Sequence, residues 1–180
     1  MKKKKESISF MKKILTLVDE SFEDLELWYP VYRLREEGCQ VDLAAKKAGL
    51  YHGKYGVPCQ VDMTFDQVNP DDYDGLLVPG GWAPDKLRRF PEVLEIVRRI
   101  NARNKVIGEI CHAGWVLISA GILNGKTVTS TVGIRDDMTN AGATWIDVDS
   151  VIDGNIVSAQ VPPSLPAYMK DYIKVLNSQD

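Results

Sequence analysis

The sequence predicts a three-layer α/β/α sandwich built on a mainly parallel sheet. Two observations carry that expectation. Short apolar runs alternate with helical patterns along nearly the whole chain, which is how parallel sheets with crossover helices are encoded. One of those runs, residues 106–110, passes through Cys111 directly into an apolar helical stretch that stops at Gly121. Such a strand-turn-helix junction holds a side chain at the carboxyl end of a sheet, as nucleophile elbows do.

The elements follow in order. Residues 13–18 read as a first strand ending in the acidic turn Asp19-Glu20-Ser21. From Asp24, Leu25, Trp28, Tyr29, Tyr32 and Leu34 recur at helical spacing until Gly38, with Pro30 kinking the helix or lying near its first turn. Residues 40–45 form a second strand, so a right-handed strand-helix-strand unit is in place. Residues 49–63, rich in glycine, read as a β-hairpin excursion at a sheet edge, and Asn69-Pro70-Asp71-Asp72 as a turn. Residues 74–78 form a buried strand running into Pro79-Gly80-Gly81, and residues 91–101 an amphipathic helix. Beyond the elbow, residues 127–131 are expected as a strand and residues 134–141 as a short helix ended by Gly142. Residues 145–148 and 156–159 are expected as strands around the turn Asp153-Gly154-Asn155, and residues 165–176 as a closing helix. With 180 residues and no repeat or low-complexity linker, residues 13–178 are expected to form one domain behind a flexible extension of residues 1–12.

Composition narrows the function classes. A net charge of −3 provides no global attraction to nucleic acid or to an anionic membrane. The lysines of residues 2–5, with Lys12 and Lys13, read as a solvated terminus. No apolar stretch reaches spanning length, and residues 14–18 are too short for a signal-peptide core before Asp19 and Glu20 intervene. The three cysteines, Cys39, Cys59 and Cys111, lack metal-ligand spacing, so a cytoplasmic protein with free thiols and neither metal nor cofactor is expected. The loop after the first strand is acidic where a flavin phosphate cradle would need glycine and hydroxyl residues.

At the elbow, Ala113 and Gly114 allow a close turn, and the free N–H groups of the helix start favour a thiolate at Cys111. The plainer alternative is a buried apolar cysteine. Three candidate spots fall at carboxyl ends of strands, where sites in such sheets form: residues 20–23, Gly80-Gly81 and Cys111-His112.

These spots carry a family resemblance. Gly-Glu-Ile-Cys-His-Ala-Gly-Trp at residues 108–115 follows Leu-Val-Pro-Gly-Gly at 77–81 and Ser-Phe-Glu-Asp-Leu-Glu-Leu-Trp-Tyr-Pro at 21–30. With Gly-Ile-Arg-Asp-Asp-Met at 133–138 and Asn-Ala-Gly at 140–142, the chain resembles the ThiJ/PfpI family of the class I glutamine amidotransferase-like superfamily. Within that family it is most similar to the PfpI intracellular protease branch. The resemblance implies a flavodoxin-like sandwich, Cys111 as nucleophile, and Glu23 as a carboxyl facing the sulfur. It further implies His112 as general base or acid, Asp85 from a neighbouring subunit orienting that histidine, and the N–H groups of Gly81 and His112 as an oxyanion hole. Relatives usually carry glutamate at the Asp85 position.

The implied activity is that of a cysteine hydrolase. Its targets would be peptide or amide bonds, or methylglyoxal and glyoxal adducts handled by deglycase or glyoxalase chemistry. The implied assembly is a homodimer or hexamer. A non-enzymatic redox sensor or stress-response chaperone with an oxidisable Cys111 is the alternative. This chain departs from its relatives around the expected pocket. Thr131-Val132 stands where many carry an aromatic residue, Trp82 and Trp115 flank the pocket beside Gly80, and Gln160 precedes Val161-Pro162 where an arginine is usual. Glu109 reads as an additional acid on the face of Cys111 or, more simply, as a paired structural carboxylate, Cys39 and Cys59 as structural, and His52 as exposed.

Overall fold

The computed structural model describes residues 11–179, so the lysine run at residues 2–5 lies outside the described residues. In chain order the elements are β1 (Lys13–Leu17), α1 (Asp24–Glu36), β2 (Gln40–Ala45), β3 (Gly49–His52), β4 (Pro58–Val61), β5 (Met63–Thr64), β6 (Gly75–Val78), α2 (Ala83–Leu87) and α3 (Pro91–Ala102). They continue with β7 (Val106–Ile110), α4 (Gly114–Ala120), β8 (Thr127–Val128), α5 (Arg135–Asn140), β9 (Thr144–Trp145), β10 (Ser150–Asp153), β11 (Ile156–Ala159) and α6 (Leu165–Asn177).

Seven strands form one sheet in the order β10-β11-β7-β6-β1-β2-β5. Every neighbouring pair is parallel except β10 with β11. The central β6 and β7 are buried along their whole length, as strands covered on both faces must be. On one face Val31 and Leu34 of α1 pack with Tyr168, Met169 and Tyr172 of α6. On the other, Val93, Ile96 and Ile100 of α3 join Val116 and Leu117 of α4. These are the three layers expected from the alternation.

The structure corrects three local expectations. The buried face of α1 is Glu26, Leu27, Pro30, Val31 and Leu34, whereas Leu25 and Tyr32 stand 58% and 60% exposed. The aromatic residues imitate a core stripe. In fact Trp28 is half-buried against the core, and the exposed Tyr32 stacks on it with ring centroids 5.3 Å apart. Next, the antiparallel partner of β11 is Ser150–Asp153, not residues 145–148. Asp153 pairs directly with Ile156 across Gly154-Asn155, and so tight a turn requires the partner strand to end at Asp153. Finally, residues 127–131 contribute only the short β8, which pairs with β9 outside the main sheet. The short α2 was not legible, because its five residues are too few to show a period.

The excursion of residues 49–63 is confirmed as the antiparallel β3–β4 hairpin. Its tip is held by Asp24, whose buried carboxylate accepts the N–H groups of Tyr55 at 2.9 Å and Val57 at 2.8 Å. Asp24→Ala is expected to destabilise the chain by about 1–2 kcal/mol, since both N–H groups lose a charged acceptor. Urea denaturation would measure that loss, and limited proteolysis would show faster cleavage near residues 53–57.

Candidate active site

The elbow is built from the end of β7. Ile110 is extended at φ −140°, and Cys111 turns sharply to φ +64° before a single 3-10 turn leads into α4. A cysteine in the left-handed region is strained, and such strain persists where surrounding structure enforces it. Here the Thr131 N–H donates to the Cys111 carbonyl at 3.3 Å, and α4 closes on Gly121 at φ +76°. The turn solves the problem posed by adjacent cysteine and histidine: His112 Nδ1 lies 3.2 Å from Cys111 Sγ.

The opposite wall is the Gly80-Gly81 loop. A Cβ on Gly80 would fall 2.3 Å from Glu26 Oε2 and 2.7 Å from the Cys111 Cβ, so only glycine permits this approach. Gly81 sits at φ +78° and bridges Phe22. The N–H groups of Gly81 and His112 both hydrogen-bond toward the sulfur. They are the two donors that the resemblance assigned to the oxyanion.

The carboxyl beside the thiol is Glu26, one helical turn beyond Glu23, and this corrects the sequence-derived assignment. Glu23 is the N-cap of α1, and its Oε2 accepts the Glu26 N–H at 2.8 Å. That side chain is folded onto its own helix end, and the carboxyl acting on Cys111 is the one at Glu26. Glu26 instead reaches inward beside Cys111, where Oε2 accepts the Gly80 N–H at 2.9 Å and Oε1 is buried with no hydrogen-bond partner. Burial first, and the neighbouring Glu23 charge second, raise its pKa from 4.5 to about 8. At neutral pH Glu26 therefore carries its proton, and a carboxyl O–H beside the sulfur favours a thiolate there. The signal was present in the sequence: Glu26 shares the 27/30/31/34 face of α1. The aromatic residues drew the helical reading to the wrong side.

Burial pushes the Cys111 thiol up to about 12, with the Glu26 charge second, while the Gly81 and His112 N–H groups pull it down. The thiolate expected from the helix start is thus outweighed by desolvation. Protonation of Glu26 removes the second cause and places a carboxyl O–H beside the sulfur. His112 is lowered from 6.5 by burial and then by the charge of Lys54, so a neutral imidazole faces the thiol.

The two tryptophans bracket this imidazole. Ring centroids lie 5.8 Å away for Trp82 and 5.1 Å for Trp115. Trp115 is fixed by its Nε1–H donating to Asp137 at 2.7 Å. Thr131 lies half-buried beside the elbow. Cys111, His112, Gly80, Gly81, Trp82, Trp115 and Thr131 are thus brought together, and Asp85 is not. The Asp85 carboxylate pairs with Arg89 one turn on, is about half exposed and makes no hydrogen bond to His112.

Glu109 is fully buried with the Gly114 N–H directed at it and no side chain paired with either carboxyl oxygen, which corrects the expectation of a paired carboxylate. Burial raises its pKa well above 4.5, so it too is protonated. All three cysteines are free. Burial raises the Cys59 thiol to about 11, and His52 is exposed, 3.7 Å from Glu20. Among the described residues no group of three His, Cys, Asp or Glu converges as metal ligands, and no helix is long and apolar enough to cross a membrane.

Fold and site define a class: an α/β sandwich whose strained elbow presents a cysteine to a histidine, a protonated carboxyl and glycine N–H groups. The chain belongs to the DJ-1/PfpI family, which residues 12–175 match. It is 48% identical over 164 residues to the deglycase PfpI of Pyrococcus furiosus, covering 91% of this chain and 99% of that protein. Among solved structures, a two-domain protein of Anabaena variabilis with a DJ-1/ThiJ/PfpI-like and a ferritin-like domain superposes with a TM-score of 0.90 at 32% identity. That match covers 92% of this chain and 48% of the other. A ThiJ/PfpI domain protein of Brachyspira murdochii, 22% identical over 94% of this chain and 99% of its own, shares the fold with a TM-score of 0.90.

Proposed function

We propose that the protein is a Cys111-dependent hydrolase of the deglycase type, acting on small carbonyl adducts such as methylglyoxal- or glyoxal-modified amines, with peptide amides as the related substrate class. The observation that carries the reading is the 3.2 Å contact between Cys111 Sγ and a His112 imidazole kept neutral by burial. In the reaction, the thiol proton passes to His112 Nδ1 as sulfur bonds to the carbonyl carbon. The carbonyl electron pair moves onto oxygen, where the Gly81 and His112 N–H groups stabilise it. For an amide, collapse of this adduct expels the amine, which takes the proton back from His112, and water then cleaves the thioester. At the aldehyde of a glyoxal adduct the same attack gives a hemithioacetal, and at the ketone of a methylglyoxal adduct a hemithioketal, the alkoxide taking the proton from His112. The likeness to the Pyrococcus deglycase supports adducts over folded proteins.

The assembly belongs to this proposal. Asp85 of one copy orients His112 of another, so the active form is a homo-oligomer, dimer or hexamer, and it works in the cytoplasm, where its free thiols stay reduced. A second reading, a redox sensor that oxidises at Cys111, is supported by the Glu26 contact with the sulfur but has no use for His112.

His112→Ala separates the two. Turnover of a methylglyoxal-modified peptide is expected to fall by about 10²–10⁴-fold with an unchanged thermal transition. Undiminished turnover would overturn the hydrolase mechanism. A strictly monomeric protein with full activity in a size measurement would overturn the role of Asp85.

A further inference from the structure

The hairpin tip that Asp24 holds in place carries a cation toward the site. The Lys54 N–H donates to Phe22 O at 2.8 Å, and the Ser21 N–H donates to His52 O at 2.8 Å, so the tip runs along residues 21–22. The other edge of that segment meets the oxyanion loop: Phe22 bridges Gly81, and the Trp82 N–H donates to Ser21 O at 2.9 Å. Lys54 therefore lies two hydrogen-bonded chain spacings, about 9–10 Å, from the loop that faces Cys111. Its backbone is tied down while its side chain is exposed.

The other cations near the site are committed. Lys86 lies 3.8 Å from Asp19, and Arg89 pairs with Asp85. Arg88 donates to Ser119 Oγ at 2.9 Å and lies 5.6 Å over the Trp115 ring. Among the described residues Lys54 has no carboxylate at ion-pair distance; its ammonium rests 4.9 Å from the Tyr55 ring centroid. Its charge is nevertheless felt at Glu26, Cys111 and His112, each of which it lowers. Glu23 and Asp24 keep their carboxylates occupied with backbone N–H groups, so among the described residues Lys54 is the cation at this rim that no carboxylate pairs.

We propose that Lys54 is a specificity-determining residue: its ammonium, presented on the β3–β4 tip at the rim of the site, selects carbonyl substrates that bear a carboxylate next to the reacting carbon. This rests on Cys111 as the reacting group and adds the class of substrate it prefers. An anion entering the site gains Coulomb attraction before the sulfur is reached, which a neutral analogue does not.

The test uses two thiol reagents that differ in charge, iodoacetate and iodoacetamide, with alkylation of Cys111 followed by mass spectrometry of its peptide. Lys54→Met is expected to slow iodoacetate about threefold to tenfold at low ionic strength while leaving iodoacetamide within about twofold. Lys54→Arg is expected to retain the wild-type preference and Lys54→Glu to reverse it. Added salt should erase the preference in the wild type. Equal slowing of both reagents would show that Lys54 acts on the sulfur rather than on the incoming anion, and would overturn the proposal. So would unchanged rates for both. In parallel, KM for peptide amides with Glu or Gln beside the reacting carbonyl should separate in the wild type and converge in Lys54→Met. A wild type that prefers iodoacetate yet turns over neither amides nor adducts would overturn the hydrolase reading and leave the role of Lys54 supported.

Discussion

Glu26→Leu is expected to lower turnover by about 10²–10³-fold, whereas Glu23→Ala leaves it within a few-fold of wild type. Leucine fills a similar volume but removes the O–H beside the sulfur and the acceptor of the Gly80 N–H, which lies 2.9 Å from Glu26 Oε2. Glu23→Ala removes an N-cap and is expected to cost about 1 kcal/mol of stability, visible in urea denaturation. If the two variants exchanged these phenotypes, the assignment of Glu26 as the carboxyl at the sulfur would be wrong.

The raised pKa of Glu26 also sets a pH dependence. Its pKa is 4.5 when unfolded and about 8 when folded, so between these values the folded state holds a proton that the unfolded state has released. The stabilisation is complete below 4.5 and is lost as pH rises through about 8. Thermal transitions of the wild type are therefore expected to fall from pH 5 to pH 9 more steeply than those of Glu26→Gln, which cannot ionise. Turnover should fall over the alkaline part of that window, as an ionised Glu26 repels the thiolate. A Glu26→Gln profile parallel to the wild type in both measurements would count against this account.

Gly81→Ala is expected to cost about 3 kcal/mol or more and to remove most of the remaining activity. The new Cβ would lie 2.4 Å from Glu23 N, 2.6 Å from Ser21 O and 2.7 Å from Phe22 C, all backbone atoms with little room to yield. The position also has φ +78°, which alanine adopts only with strain. Relief by moving the loop would carry the Gly81 N–H away from the sulfur. Urea denaturation reads the first effect, and kcat on a glycated peptide at a temperature where the variant is folded reads the second. A variant as stable and active as wild type would mean that this loop is not the rigid wall described.

The layers, the parallel sheet and the elbow were legible because they rest on local signals. β6 and β7 are short apolar runs with turns beside them, and Cys111 lies between a strand pattern and a helix pattern that differ in period. Cys111, His112 and the Gly80-Gly81 loop followed from where those runs end, since sites in such sheets form at the carboxyl ends of strands.

What the sequence could not convey depends on which way a residue faces once its helix is docked. On α1 the aromatic residues made the outer side look like the core. The buried side is fixed instead by the fit of Val31 and Leu34 against α6, some 130 positions away, and that rotation turns Glu26 to the sulfur and leaves Glu23 to cap. The same holds for Lys54, which is remote in sequence from Cys111 and reaches its rim only because Asp24 and Phe22 hold the hairpin tip. Local periodicity therefore determined the elements and the place of Cys111 at the elbow. Long-range packing alone decided which carboxyl holds the proton and which cation faces the substrate, because charge and burial act through space rather than along the chain.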